Sequence, residues 1–597
     1  MEQRINTLWD TTLPSIPRRA MTWTLVLILA VTFLPWLGDT LFNTKGEPRE
    51  ALVAVSMLQS GNYILPESYG ADIPYKPPFL AWLIAGISWL AGGKVTEFTS
   101  RLPSAIATIA MVMTGFAFFS RRHPSTSSVT TAAMAVVTVT SVEVYRAATA
   151  CRVDMVLTAC IVTSIYAMAA LRERRGSVGV SWTAILLMTM AVLTKGPIGA
   201  GLPCLVIWVY SLLRGDRLWR ATWTMALSGA IAMLLPAAWY YAAWLDGGER
   251  FLNLAIEENF GRLTGTMSYD SHVNPWYYNV LTILAGMLPY TLLALFSLLT
   301  VRKIKCDGGA RGLWERLRSL DPDTLLAVTG TVVIFVFYCF PKSKRSVYLL
   351  PMYPFMAYLM TRLIIFIVNG GHWKVLRTYA AVVGSAGLIA AWTVWGLHIV
   401  DGTASIPDLK GAALDLATGL HNEAFGVADW TLLIICIFTC GATLCVIRRR
   451  DSIPAWGALA SALTVYWVLG ATVLPRTLNP KSDITLSHEI TRFNTGLPVY
   501  SYNAVKMLRY YTAAFYLNDS IRLFAPEEGS SQTVKTSTPT ALPPEGLLIV
   551  NTLEMPQWQE RYGAAYTTDT LYTGSRRSSD CRAVPMIVHF RAVTAAH

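Results

Sequence analysis

Apolar residues in this chain neither alternate nor recur in stripes; they come in long runs separated by polar connections. Thirteen runs stand out, near residues 21–42, 103–120, 129–149, 154–171, 180–194, 197–213, 222–244, 276–300, 323–340, 346–368, 377–400, 429–447 and 455–475. A membrane's hydrocarbon core takes about 20 apolar residues as one helix, which satisfies every backbone N–H and C=O within itself. The pattern therefore predicts a polytopic α-helical membrane protein with about thirteen transmembrane helices. The first run is too long for the apolar part of a signal peptide, and no small-residue cleavage site follows it, so it is expected to remain as an anchor.

The connections differ in length. The first, residues 43–102, holds an amphipathic stretch ("EALVAVSMLQSG"), a Pro/Tyr-rich turn ("YKPP") and the apolar segment "FLAWLIAGISWLAGG". That segment has about 15 residues, short for a span, and reads as an interfacial or re-entrant helix. Residues 245–275 and 401–428 are the other long connections. After the last run, β-like stretches ("LPVYSYN", "SIRLFAP", "GLLIVNTL", "PMIVHFRA") alternate with helix-like ones ("SHEITRFNTG", "AVKMLRYYTA"), and "GSSQTVKTSTPTALPPEG" reads as a polar loop. The expected plan is a transmembrane domain over 1–475, which includes the long first loop, and a small soluble α/β domain over 476–597.

Lys and Arg favour cytoplasmic connections. With the N-terminus inside, Arg18-Arg19, Arg121-Arg122, "RERR" at 172–175, "RGDRLWR" at 214–220, "VRKIK" at 301–305 and "RRR" at 448–450 all fall on that side. Thirteen spans then place the first loop and the C-terminal domain on the outer, periplasmic face of a bacterial inner membrane.

Composition agrees: 53% of residues are hydrophobic and only 14% charged, unlike a soluble domain. The net charge of +12 does not make this a nucleic-acid binder, because its basic residues recur in short clusters between apolar runs instead of on one soluble face. The nine cysteines are scattered and form neither a disulfide framework nor a CxxC knuckle.

Some charges work against the orientation bias. Lys76, Arg152, Lys195, Lys342, Lys344 and Arg345 lie at outer helix ends, where Glu47, Glu50, Asp154, Glu257 and Glu258 join them. Charges so near hydrocarbon line cavities or bind ligands, although snorkelling and interfacial ion pairs account for many single cases. Cations that hold a phosphate beside a carboxylate that takes a proton would suit transfer of a sugar from a polyprenyl phosphate. A transporter or flippase of a lipid-linked anion is the competing class, but no repeat relates the two halves and the charges gather at one face instead of the midplane.

In order along residues 20–360, "GEPREALVAVSMLQSGNYILP", "YKPPFLAWLIAG", "SRLPSAIATI", "RVDMVLTA", "LTKGPIGAGLP" and "SKRSVYLLPMYP" resemble the signatures of GT-C membrane glycosyltransferases of the lipid A 4-amino-4-deoxy-L-arabinose transferase and protein O-mannosyltransferase-like family. The resemblance implies an inverting enzyme that moves a pentose or hexose from a polyprenyl-phosphate-sugar donor to a lipid, glycan or protein acceptor. Where the family has an Asp-Glu pair, this chain has Gly46-Glu47, so the resemblance assigns the working carboxylate to Glu47, with Glu50 as substitute and Arg49 beside them. Asp154 matches the family's second acid. Lys76, Lys195, Lys344 and Arg345 match its donor-phosphate cations, Arg152 and Tyr348 are further candidates within the motifs, and Arg262 of "ENFGRLTG" could meet an acceptor or the phosphate. Some relatives hold a divalent metal with a carboxylate before "KPP" and a His in the second long loop; here Tyr75 replaces the carboxylate and His272 remains. No metal or other cofactor is required, since the lysines can neutralise the leaving phosphate, but His272 leaves room for one.

Overall fold

The computed structural model describes residues 16–70, 72–74, 76–122, 128–261, 273–300, 315, 317–402, 409–503, 509–525 and 542–593. Arg262, His272, the 301–305 basic cluster and most of the polar stretch at 529–546 lie outside these residues. Among the described residues, eight helices are long and apolar enough to cross a membrane, and ten if two bent pairs each count as one span. Trp182–Lys195 and Ile198–Leu213 are apolar but shorter, as is Phe79–Leu90, the segment read as interfacial.

Several boundaries depart from the sequence reading for local reasons. The first helix covers only Arg18–Phe33, because the following Pro35-Trp36-Leu37-Gly38 turns the chain. The 129–149 run is two helices, Ser128–Val139 and Val142–Ala148, bent by 73°. The hydroxyls of Thr140 and Ser141 at that break bond back to the carbonyls of Val136 and Val137. Side chains of this kind compete with the helical ladder. The 276–300 run is also broken, by 105°, between Tyr278–Gly286 and Tyr290–Leu299, at Met287-Leu288-Pro289. The connection expected at 245–275 is helical through residue 261: Leu218–Ile256 runs on into a π-helical turn, Glu257–Gly261, with a kink where Gly248 takes φ of 56°.

Contacts divide the chain into two units, and the division is not a single cut near residue 475. The first comprises Met1–Leu37, Tyr75–Leu80 and Arg101–Leu474; the second comprises Gly38–Pro74, Ala81–Ser100 and Pro475–His597. The long first loop thus packs largely with the C-terminal domain.

The first unit is a helical bundle whose core includes Phe33, Phe116, Tyr166, Tyr210, Tyr290 and Phe355, all fully buried. Two of its basic clusters are tied down by acids. Arg172 donates to Asp216 at 3.1 Å and to Glu173 at 2.9 Å, and Arg214 pairs with Glu173 at 3.1 Å.

The second unit is built on a five-stranded mixed sheet in the order β2-β1-β3-β5-β4, with β1 Val499–Ser501, β2 Ile521–Leu523, β3 Glu545–Asn551, β4 Tyr566–Thr573 and β5 Pro585–Ala592. β1 lies parallel to β2 and β3, while β5 runs antiparallel between β3 and β4. Four strands match the apolar stretches of the sequence. β4 has no such signal, because this edge strand (YTTDTLYT) is mostly exposed and Thr-rich. Trp558 from helix Met555–Tyr562 fills the core against Phe524, Tyr566 and Phe590.

The first-loop helix Gly46–Ser60 belongs to this unit and buries nine of its fifteen residues, Glu47 among them. Asp519 clasps it: one carboxylate oxygen accepts from Ser56 Oγ at 2.8 Å and the other from the Tyr69 N–H at 2.8 Å. Tyr69 is wholly buried, with φ of 53°; its hydroxyl donates to Ser501 on β1 and accepts the Tyr510 N–H. Arg509 forms an ion pair with Asp72. Burial, opposed by the Ser56 and Tyr69 hydrogen bonds, holds the Asp519 carboxyl above the usual carboxylate range.

Candidate active site

The site-forming residues of the first unit lie where helices begin or end. Arg152, with extended backbone, precedes Val153–Arg175, so Asp154 falls in that helix's first turn, where the positive end of the helix dipole favours a carboxylate. Lys195 is the last residue of Trp182–Lys195. Gly196 follows with φ of 82°, a conformation that other residues rarely adopt, and a Cβ there would run into the Asn259 side chain of the π-helical turn. The motif "LTKGP" is thus a helix end, a left-handed glycine and a proline that restarts the chain as Ile198–Leu213.

Lys195 Nζ donates to Asp154 Oδ1 at 2.5 Å, and its ammonium lies 4.5 Å from the centroid of the Tyr348 ring. Tyr348 stacks in turn on Tyr338 at 5.6 Å. Lys76 and Arg152 also act electrostatically on the Asp154 carboxylate, so three cations gather around one nearly buried acid. Such a gathering of cations suits an anion.

Lys344 and Arg345 come just before the short 3-10 helix Ser346–Met352 that carries Tyr348. Lys344 is buried and donates to the Pro341 carbonyl at 2.8 Å, while Arg345 is half-buried. Val273 pairs with Ser343, and Asn274 donates to the Lys344 carbonyl at 2.9 Å, which fixes this basic segment through its backbone.

Glu47, Arg49 and Glu50 lie in the second unit, in the first turns of Gly46–Ser60. Glu47 is 9% exposed, and Arg49 reaches Glu50 at 3.6 Å. Lys45 precedes the helix; burial, with the nearby Arg582 and Arg49 charges, lowers its amine below the usual lysine range, against the opposing pull of Asp580. Asp580 is fully buried, which pushes its carboxyl up to about 7, with the Asp483 charge adding to the effect.

A family model described as dolichyl-phosphate-mannose-protein mannosyltransferase matches residues 75–241, the segment that carries Lys76, Asp154 and Lys195. The crystal structure of ArnT from Cupriavidus metallidurans bound to undecaprenyl phosphate superposes with a TM-score of 0.67 at 20% identity, over 95% of this chain and 97% of that one. By fold, the chain is of the GT-C type. An undecaprenyl phosphate-alpha-4-amino-4-deoxy-L-arabinose arabinosyl transferase from Enterobacter sp. (strain 638) is 26% identical over 57% of this chain and 59% of its own length. An uncharacterized protein of Aquifex aeolicus (strain VF5) is 25% identical over 80% of this chain and 86% of its own.

The GT-C bundle brings together Asp154, Lys195, Lys76, Arg152 and Tyr348, all singled out in the sequence. It also holds a pair that was not. Arg146 forks onto Glu143, Nη2 to Oε1 at 2.6 Å and Nε to Oε2 at 3.1 Å. Both residues were counted inside the third apolar run. The bend at Thr140-Ser141 sets their helix apart, and an E-x-x-R spacing within an apolar run was the available signal.

Among the described residues, no group of three or more His, Cys, Asp or Glu side chains is placed to hold a metal ion.

Proposed function

We propose that this chain takes a sugar from a polyprenyl-phosphate donor and transfers it, with inversion at the anomeric carbon, to a lipid, glycan or protein acceptor. The observation that carries this reading is the cluster of Lys76, Arg152 and Lys195 around Asp154, walled by Tyr348. The name of the Enterobacter relative supports it, as does the undecaprenyl phosphate held by the structure from Cupriavidus.

In the proposed step the acceptor oxygen forms a bond to the anomeric carbon as the bond from that carbon to the phosphate oxygen breaks. The acceptor's proton passes to a carboxylate, for which Glu47 is the candidate, and the electron pair leaves with the polyprenyl phosphate. Lys76 and Lys195 neutralise the charge that grows on that phosphate. Asp154 orients Lys195 through their ion pair. A divalent metal has no necessary part, because the leaving charge is met by ammonium groups. Both a pentose and a hexose fit this scheme.

A strain that lacks the protein is expected to accumulate the sugar-bearing polyprenyl phosphate and to lack the matching sugar on one cell-envelope component. Lipid extracts analysed by mass spectrometry test this, and unchanged lipid-linked sugars and envelope glycans would overturn it.

The same reading places the working face in the periplasm of a bacterial inner membrane, on the strength of the basic connections. An alkaline phosphatase fusion after Ser487 should therefore be active. An inactive fusion, with a cytoplasmic reporter active at the same point, would reverse the orientation.

A further inference from the structure

Glu143 and Arg146 sit on the short helix Val142–Ala148, beyond the 73° bend, and the family signatures do not include them. Glu143 is 5% exposed, and a carboxylate so buried needs a partner. Arg146 supplies it through two parallel N–H···O bonds, the geometry that fixes a guanidinium most firmly. Gly286 makes the room: a Cβ there would lie 3.0 Å from Glu143 Cβ and would run into the Tyr353 hydroxyl.

The fork uses Nε and Nη2 of Arg146. Its side chain is nevertheless 52% exposed, and Nη1 makes no hydrogen bond among the described residues. A guanidinium that served only to neutralise Glu143 would not need an open edge. Nη2 also donates to Ser346 Oγ at 3.3 Å. Ser346 opens the turn whose Tyr348 ring lies beneath the Lys195 ammonium. Arg146 and Lys195 therefore meet residues 346 and 348, both in the first turn of the helix Ser346–Met352, directly after Lys344-Arg345. The charge of Asp154 reaches Arg146 as well as Lys195.

We infer that Arg146 is a further ligand of the donor phosphate, presented by its open Nη1 edge, and that Glu143 is the residue that positions it. The inference rests on the donor reading above. It adds a charge-assisted N–H contact from Nη1, held in a fixed direction by the Glu143 fork, to the ammonium contacts of Lys76 and Lys195.

The test is binding of undecaprenyl phosphate to the full-length protein in detergent, together with donor KM and kcat in a transfer assay. Arg146→Ala should weaken binding roughly tenfold or more and raise KM more than it lowers kcat. Arg146→Lys should recover only part of the loss, since it keeps the charge but cannot be held by Glu143 through two bonds while a further N–H faces the phosphate. Glu143→Gln should weaken binding in the wild-type background and add nothing in the Arg146→Ala background, because it acts only through Arg146.

Arg146→Ala strands a buried carboxylate and can fail to fold, so Glu143→Leu/Arg146→Met provides a second route that removes both charges. That double variant should melt near wild type and bind the lipid as poorly as Arg146→Ala. Wild-type affinity in the folded double variant would overturn the inference and leave the donor reading standing. Absence of saturable binding by the wild-type protein would overturn both.

Discussion

Glu47→Gln is expected to lower sugar transfer by about 10²–10⁴-fold, the usual cost of losing a general base, while Glu50→Gln stays near wild type. Both residues lie in the first turns of Gly46–Ser60, but their surroundings differ. Glu47 is 9% exposed, and Glu50 has Arg49 at 3.6 Å, an ordinary interfacial pair. A purely structural Glu47 would serve the helix start, next to a proline that suits the first helical turn. There the amide retains size and hydrogen bonding and loses about 0.3–1 kcal/mol of dipole interaction. The two accounts differ by orders of magnitude in turnover. Initial rates from purified variants matched for melting temperature decide between them, and full activity of Glu47→Gln, or a loss confined to Glu50→Gln, would move the base elsewhere.

Lys76→Ala and Lys195→Ala should each reduce transfer by roughly 10- to 150-fold, the range for losing a charge-assisted contact to phosphate. Lys195→Ala should affect stability as well. Lys195 is the direct partner of Asp154 at 2.5 Å, and both side chains are largely shielded, at 18% and 8% exposure. Its removal leaves a nearly buried carboxylate without its hydrogen-bonded cation, so Lys195→Ala should also lower the melting temperature. Adding Asp154→Asn to Lys195→Ala should restore the melting temperature without restoring transfer. Wild-type turnover in both single variants would remove these lysines from the donor site.

How much of this was legible in the sequence depended on whether a signal was local. Long apolar runs are local, and a helix answers each because hydrocarbon allows few alternatives. Their breaks depended on hydroxyls bonding back to the backbone at Thr140 and Ser141, which composition alone does not forecast. Asp154 and Lys195 stood out as charges at helix ends, but their pairing across 41 residues is a product of packing. Lys344, read as a phosphate ligand, gives its ammonium to the Pro341 carbonyl, a contact that only the tight turn at 341–345 creates. Arg146 was hidden because a single Glu-Arg pair hardly changes the hydropathy of a 20-residue window. The attachment of the first loop to the C-terminal domain had no sequence signal, since Tyr69, Asp72 and Asp519 look like ordinary loop residues.

That attachment sets an order of events during synthesis. Tyr69 and Asp519 are 450 residues apart, and Ser56 and Asp519 are 463 apart. At about 5–20 residues per second, the ribosome needs roughly 20–90 s to deliver Asp519 after the first loop has emerged. Throughout that interval the helix that carries Glu47 exists without the clasp that buries it, and the completed chain supplies the clasp almost last. Full-length synthesis therefore acts as a timer: a nascent chain that stalls within the membrane bundle already has the residues of the Asp154–Lys195 pair but lacks the Asp519 clasp on the helix Gly46–Ser60.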